Sequence, residues 1–144
     1  MKVLLVNKKI NLNYSVSDIY ESGLSLKGTE VKSLVKSNGN IDEAFVVFAK
    51  QEAYVINMYI ATFEQGNINN VDPYRRRKLL LHKNEIIKME FQSKKERLAI
   101  IPTKVFFKNG VIKLNIALAK SKKAHDKRDD IKKRDAARES RRYI

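Results

Sequence analysis

The feature that most restricts this chain is a stretch of strict alternation, in which Ile112, Leu114, Ile116 and Leu118 are separated by Lys113, Asn115 and Ala117 and followed by Ala119. A period of two turns all four large apolar side chains to one face of an extended strand, and that face must be covered. An apolar run over residues 98–107 precedes it, and between the two lies Asn109-Gly110, a pair suited to a two-residue hairpin turn with positive φ at both positions. The first structural expectation is therefore an antiparallel hairpin with one half-buried strand, which commits the chain to a β-sheet.

Other segments extend that sheet. Residues 45–49 and 54–60, joined through Lys50-Gln51-Glu52, predict a second hairpin, and residues 14–26 predict an earlier strand with Gly23 as a bulge. Two short helices are expected. The first opens with Thr29 as N-cap and Glu30 in its first turn, puts Val31, Leu34 and Val35 on one face, and stops at Asn38-Gly39. The second runs from about Asn84 to about Lys95, with Ile86, Ile87, Met89 and Phe91 as a broad apolar side. A length of 144 residues suits one hydrophobic core. At least five short strands around such a core predict a mainly β fold with short helices, a small closed antiparallel barrel of the oligonucleotide-binding kind.

Charge then separates the chain into two parts. Thirty Lys and Arg against 16 Asp and Glu give a net charge of +14, beyond what solubility requires, which points to a polyanionic partner. Residues 120–144 hold 11 of those cations and five of the acids, a net of +6, and their only large apolar residues are Ile131, Tyr143 and Ile144. No apolar stripe exists to dock this segment on the body, so the expected organisation is a folded body over 1–119 and a basic tail over 120–144, disordered when free. Asp129 with Lys133 and Asp130 with Arg134 stand at i,i+4, so the tail holds a latent helix. The missing apolar face argues against a membrane helix. Val3-Leu4-Leu5-Val6 is too short for a signal-peptide core or a membrane span, and a cytoplasmic protein is expected.

Two segments carry the chemistry of binding. Residues 66–78 read GNINNVDPYRRRK, where Asp72-Pro73 fixes a turn and Tyr74 precedes Arg75, Arg76, Arg77 and Lys78. Guanidinium forks match phosphate oxygens and an aromatic face accepts a base, the mixture used on unpaired RNA; a merely solvated loop is the plain alternative. In the tail, Lys120, Lys122, Lys123, Lys127 and Arg128 surround His125 and Asp126, with Lys132, Lys133, Arg134 and Arg138 beyond. Catalysis finds little support. His82 and His125 are the only histidines and lie in different regions, cysteine is absent, and neither metal-ligand spacing nor a phosphate-cradling glycine loop occurs. His82, after Leu79-Leu80-Leu81, reads as a helix cap or a packed side chain. No cofactor and no small-molecule substrate are expected.

Three segments taken together resemble one family: Gly28-Thr29-Glu30-Val31-Lys32-Ser33, Asp72-Pro73 followed by Arg77-Lys78-Leu79-Leu80-Leu81-His82, and Lys122-Lys123-Ala124-His125-Asp126-Lys127-Arg128. In this order, with Asn7-Lys8-Lys9 near the start, they resemble the SsrA-binding protein (SmpB) family. The resemblance implies an oligonucleotide-binding-type barrel with flanking helices and a disordered tail. It implies as partner transfer-messenger RNA, whose tRNA-like domain such proteins escort to stalled ribosomes, with elongation factor Tu engaged indirectly through the charged RNA. Carried over by position, Asn7, Glu30, Leu81 and His82 belong to the surface for the tRNA-like domain, and Lys8, Lys9, Lys32, Tyr74, Arg75, Arg76, Arg77 and Lys78 are expected on the same surface. Lys122, Lys123, His125, Asp126, Lys127 and Arg128, continued by Lys132, Lys133, Arg134 and Arg138, belong to the decoding centre of the small subunit and the messenger channel.

The chain departs from the family pattern at Val71, where His is usual before Asp-Pro, at Ala61-Thr62-Phe63, where a Pro-containing stretch is usual, and at Ser121, where Gly is usual before Lys-Lys. Loss of that Gly removes a residue free to take positive φ, and a more restricted exit angle for the tail follows. Charge and a barrel alone would equally fit a general RNA-binding or ribosome-associated protein without preference for transfer-messenger RNA.

Overall fold

The computed structural model describes residues 1–63 and 70–122, in the order β1 (Lys2–Val6), α1 (Ile10–Asn13), β2 (Tyr14–Leu24), α2 (Gly28–Val35), β3 (Gly39–Asn40), β4 (Phe45–Ala49), β5 (Glu52–Ile56), β6 (Tyr59–Ile60), β7 (Arg77–Leu80), α3 (Lys83–Glu96), β8 (Ala99–Lys108) and β9 (Val111–Ser121). Seven strands form one antiparallel sheet in the order β1-β8-β9-β2-β7-β5-β4, and β3 pairs with β6 apart from it. The predicted β8–β9 hairpin is present, closed by Asn109 at φ 52° and Gly110 at φ 76°.

The sheet is not the closed barrel expected from the sequence. Strand β4 curls over to face β8, but β8 already spends both edges on β1 and β9, so β4 has no ladder to join there. Closure would require β4 to pair with β1, and both remain edges.

Leu114, Ile116 and Leu118 are fully buried and pack with Leu34, Val55, Met58, Leu79, Met89 and Val105. Strand β9 is buried more completely than the alternation implied. Ala117 and Ala119, on the face expected to meet solvent, are also sealed, and Ile10 of α1 and Ile101 pack on Ala119 as a second, smaller cluster. Small side chains on that face are what let Ile10 approach.

Several local expectations are corrected. Gly23 is not a bulge; the irregularity of β2 lies between Val16 and Ile19, and Gly23 pairs regularly with Lys113 on one side and Leu80 on the other. Its lack of a side chain serves close approach, since a Cβ there would stand 3.1 Å from the Leu80 Cβ. The first helix is capped by Lys27 rather than Thr29, because the Glu30 carboxylate reaches back to accept the Lys27 N–H at 2.9 Å. The second hairpin turns on Lys50 and Gln51 alone, at φ 51° and 63° without glycine, and Glu52 already pairs with Ala49. Its second strand breaks at Asn57, φ 59°, so that β6 leaves for β3.

The body continues past residue 119. Ser121 still pairs with Tyr14, without positive φ, so this position needs no glycine. Lys122 is then tied to α1, donating from its N–H to the Asn13 carbonyl at 2.9 Å and from Nζ to the Asn11 carbonyl at 2.7 Å. The expectations for Lys123, His125, Asp126, Lys127, Arg128, Lys132, Lys133, Arg134 and Arg138 lie outside the described residues, as does the part of the polar loop over 64–69.

Candidate RNA-binding surface

The run of four cations after Tyr74 does not act as one patch, because the last two residues, Arg77 and Lys78, begin a strand. Alternation along β7 turns Arg77 and Leu79 inward and Lys78 and Leu80 outward. Arg77 is 0% exposed, and its guanidinium donates to Glu30 through Nε, to the Met58 carbonyl at 2.6 Å through Nη1 and to the Pro73 carbonyl at 3.0 Å through Nη2. Arg75 reaches the same carboxylate from outside, at 2.6 Å through Nη2 and 3.2 Å through Nε, and also donates to the Ser25 carbonyl at 3.1 Å. Glu30 thus collects two arginines and the Lys27 N–H while only 3% exposed.

Burial alone would push the Glu30 carboxyl up; the hydrogen bonds from Arg75, Lys27 and Arg77 more than offset it and hold the group below the usual carboxylate range. Burial also disfavours the charged form of Arg77, opposed by its bonds to Glu30. Of the two roles open to a carboxylate in a basic face, accepting from a base or orienting a neighbouring Lys or Arg such as Lys32, the described contacts favour the second, with Arg75 in place of Lys32. Its carboxylate is spent inside the protein, as is Arg77, so both act by positioning what stands outside them.

What they position is the turn at 72–76. Arg77 grips the Pro73 carbonyl, which also accepts the Ile60 N–H at 3.0 Å, while the Asp72 carboxylate accepts the Tyr74 N–H at 2.8 Å and its carbonyl accepts the Arg75 N–H at 3.1 Å. Tyr74 is left 59% exposed, its ring 5.2 Å from that of Tyr59 at a tilt of 41°. Arg76 points outward and lies over the Tyr54 ring, 4.1 Å from its centroid. The Tyr54 hydroxyl donates to Glu52 Oε2 at 2.6 Å and Lys78 Nζ to Oε1 at 3.1 Å, so these cations are held in place yet exposed.

Asn7 is also interior. Its Nδ2 donates to the Pro102 carbonyl at 2.9 Å and the Ile41 carbonyl at 3.3 Å, and its Oδ1 accepts the Lys9 N–H at 3.0 Å, which fixes the chain just after β1. Lys8 and Lys9 stay outside; the Lys8 N–H donates to Asp42 at 2.8 Å and Lys9 Nζ to Glu43 at 2.6 Å. Lys32 projects from α2 together with Lys36, and both ammonium groups stand 5.3 Å from the Phe63 ring centroid. Asn70 braces that ring's backbone by accepting the Phe63 N–H at 2.8 Å and donating to its carbonyl at 2.7 Å. His82 caps α3 and is exposed; Lys78, Leu81 and His82 line a groove of about 650 Å³ over Gly23.

The structure therefore joins most of the expected residues into one rim. Lys9 meets Glu43, and Glu43 shares a cleft with Tyr59 and Tyr74. Arg75, Arg76 and Lys78 follow along the chain, and Lys78 borders the groove beside Leu81 and His82. Lys36, Phe63, Tyr54 and Tyr59 were not expected at this surface. Tyr54 was legible in outline, since it alternates with the buried Ala53 and Val55; Phe63 depended on a loop closure that periodicity does not reveal. Among the described residues, no three His, Asp or Glu side chains converge as metal donors.

Comparison with known proteins shows the family and the fold. The family described as SmpB protein matches residues 4–144. The SsrA-binding protein of Malacoplasma penetrans is 53% identical over 144 residues, covering 100% of this chain and 99% of its own. That of Thermosipho melanesiensis is 45% identical over 145 residues, covering 100% and 99%. A solved chain from work described as "tmRNA-SmpB: a journey to the center of the bacterial ribosome" superposes with a TM-score of 0.71 at 40% identity, covering 86% of this chain and 87% of that one. With a full-length sequence match, a shared fold and an exposed rim of cations and rings braced from within, this chain belongs to the SmpB protein family.

Proposed function

We propose that this chain binds the tRNA-like domain of transfer-messenger RNA and delivers it to stalled ribosomes for trans-translation. The observation that carries the reading is the extent of the family match, which runs through residues 4–144 and so includes the basic C-terminal segment as well as the body. In this reading the body, 1–119 with the short extension of β9, holds the tRNA-like domain along the rim from Lys9 to His82. The segment 120–144 occupies the empty messenger channel and decoding centre. Elongation factor Tu is met only through the charged RNA, and the work is done in the cytoplasm. The function is binding without catalysis, a reading supported by the relatives, which are named for what they bind.

Exposed lysines and arginines around aromatic faces suit a folded RNA with unpaired elements, and neutralised phosphates release counterions, so affinity falls as salt rises. A gel-shift comparison at fixed ionic strength tests the reading. The tRNA-like domain of transfer-messenger RNA is expected to be retained in preference to an elongator tRNA of equal length. Equal retention would leave only a general RNA-binding protein.

A further inference from the structure

Tyr74 is an exposed ring on an unusually well-braced backbone. Three hydrogen bonds fix its turn, and the buried Arg77 and half-buried Arg75, both anchored on Glu30, hold the turn from below. An aromatic left largely in solvent gains little from burial, so bracing of this kind is useful where a ring must be ready for a ligand. Behind it stands Tyr59, and the two rings border a cleft of about 520 Å³ whose other walls are Gly39, Asn40, Glu43 and Asn57.

The lining is polar along one side. Asn40 Oδ1 accepts the Asp42 N–H at 2.7 Å, its Nδ2 has no hydrogen-bond acceptor among the described residues, and Asn57 is exposed at the rim with φ 59°. Gly39 lets β3 lie close against β6 behind the cleft, because a Cβ there would come within 2.6 Å of the Tyr59 carbonyl and against Leu5 and Leu34 of the core. Cations flank the opening: Lys9 is paired with Glu43, and Lys8 lines a neighbouring hollow that shares Gly39 and Asn40.

We infer that this cleft captures one unpaired purine base of the bound RNA, stacked on the Tyr74 ring and read along its edge by the Asn40 and Asn57 carboxamides. A π-face accepts any base and favours the larger purine ring, while a carboxamide pairs bidentately with adenine N6 and N7. Lys8 and Lys9 take the adjoining phosphates. The inference rests on the proposed RNA-binding function and deepens it, by assigning to the body a single-base subsite apart from the exposed cations Arg76 and Lys78.

The test uses the full chain and the tRNA-like domain of transfer-messenger RNA, with 2-aminopurine substituted singly at each unpaired purine. One position is expected to lose fluorescence on binding. Tyr74→Ala should abolish that quenching and weaken binding roughly 5- to 100-fold, as loss of one stacked base does, whereas Tyr74→Phe should preserve both. Asn57→Ala should keep the quenching and narrow the preference for purine over pyrimidine at that position. The subsite is overturned if Tyr74→Ala, shown to be folded by circular dichroism, binds within twofold of the parent with quenching unchanged. The proposed function fails by a different result, equal retention of an elongator tRNA, and loss of quenching in Tyr74→Ala would still support the subsite.

Discussion

Glu30 and Arg77 form an ion pair in the interior, 3% and 0% exposed, that joins the first turn of α2 to the first residue of β7 across 47 positions of sequence. A charge pair so placed is a costly way to hold two elements together, because desolvation consumes much of the attraction. What it provides is direction. A carboxylate has two oxygens in fixed geometry, and here one takes Arg77 while the other takes Arg75 and the helix cap, so the turn carrying Tyr74 sits in one orientation on α2.

Removing one partner exposes that cost. Glu30→Gln leaves two guanidinium groups facing each other around a neutral amide, one of them fully buried, and is expected to destabilise the fold by about 3–5 kcal/mol. Urea unfolding followed by circular dichroism measures it, and a loss below about 1 kcal/mol would show that the pair behaves like a surface contact. RNA binding by this variant, assayed where it is still folded, should fall as well, although Glu30 itself touches no solvent-facing ligand.

The same pair sets an acid limit. Because the folded carboxyl lies below its unfolded value of about 4.3, its contribution is fully present above that value and is lost as pH falls through the lower folded one. Carbon-detected titration of the Glu30 side chain should therefore give a midpoint below that of a free glutamate. Stability should decline in the same window, and in Glu30→Gln that part of the decline should be missing. A Glu30 midpoint at or above 4.3 would mean that burial outweighs the arginines.

Gly39→Ala reaches the cleft from behind, through the β3–β6 pair. The added methyl meets backbone, the Tyr59 carbonyl at 2.6 Å, and also the Leu5 side chain at 3.1 Å, so β3 and β6 must part for it to fit. Overpacking of this kind costs about 1–3 kcal/mol, and it should displace Tyr59 from Tyr74. Thermal unfolding gives the first effect and a lowered affinity for the tRNA-like domain the second. Gly23→Ala is a milder comparison, since its nearest atom is the Leu80 Cβ at 3.1 Å.

How much of this was legible beforehand follows from the range of each interaction. The β8–β9 hairpin and the extent of α3 follow from local periodicity and turn chemistry and are where the sequence places them, but of the apolar side expected for α3 only Ile86 and Met89 are buried, while Ile87 and Phe91 face solvent. Lys2–Val6 reads as a short apolar run because nothing local says that it pairs with β8, a hundred residues away. Openness of the sheet is likewise a matter of which edges are already taken. At the site, Arg75-Arg76-Arg77-Lys78 reads as four equivalent cations until the strand period beginning at Arg77 sorts them into one buried, one half-buried and two exposed. The resemblance to a family pointed to Glu30 and Asn7 as needed for binding. Both are buried and hydrogen-bonded inside the protein, so any part they take in binding runs through the backbone and the arginines that they hold in place.

The last described residue gives the means to separate body from tail. Lys122 is anchored on α1 through both its N–H and its ammonium group, and Ser121 is still in the sheet, so a chain ending at residue 122 keeps every described element. Residues 123–144 carry none of the rim from Lys9 to His82. Truncation after Lys122 is therefore expected to leave thermal stability and affinity for the tRNA-like domain within about threefold of the full chain, at most a fraction of a kcal/mol, with a shallower salt dependence because fewer cations remain to displace counterions. Peptide tagging on stalled ribosomes in a reconstituted translation system should disappear, since nothing remains to enter the messenger channel. Persistent tagging by the truncated chain would remove the assigned role of the C-terminal segment, whereas a collapse of RNA affinity would mean that the rim is not the principal surface for the tRNA-like domain.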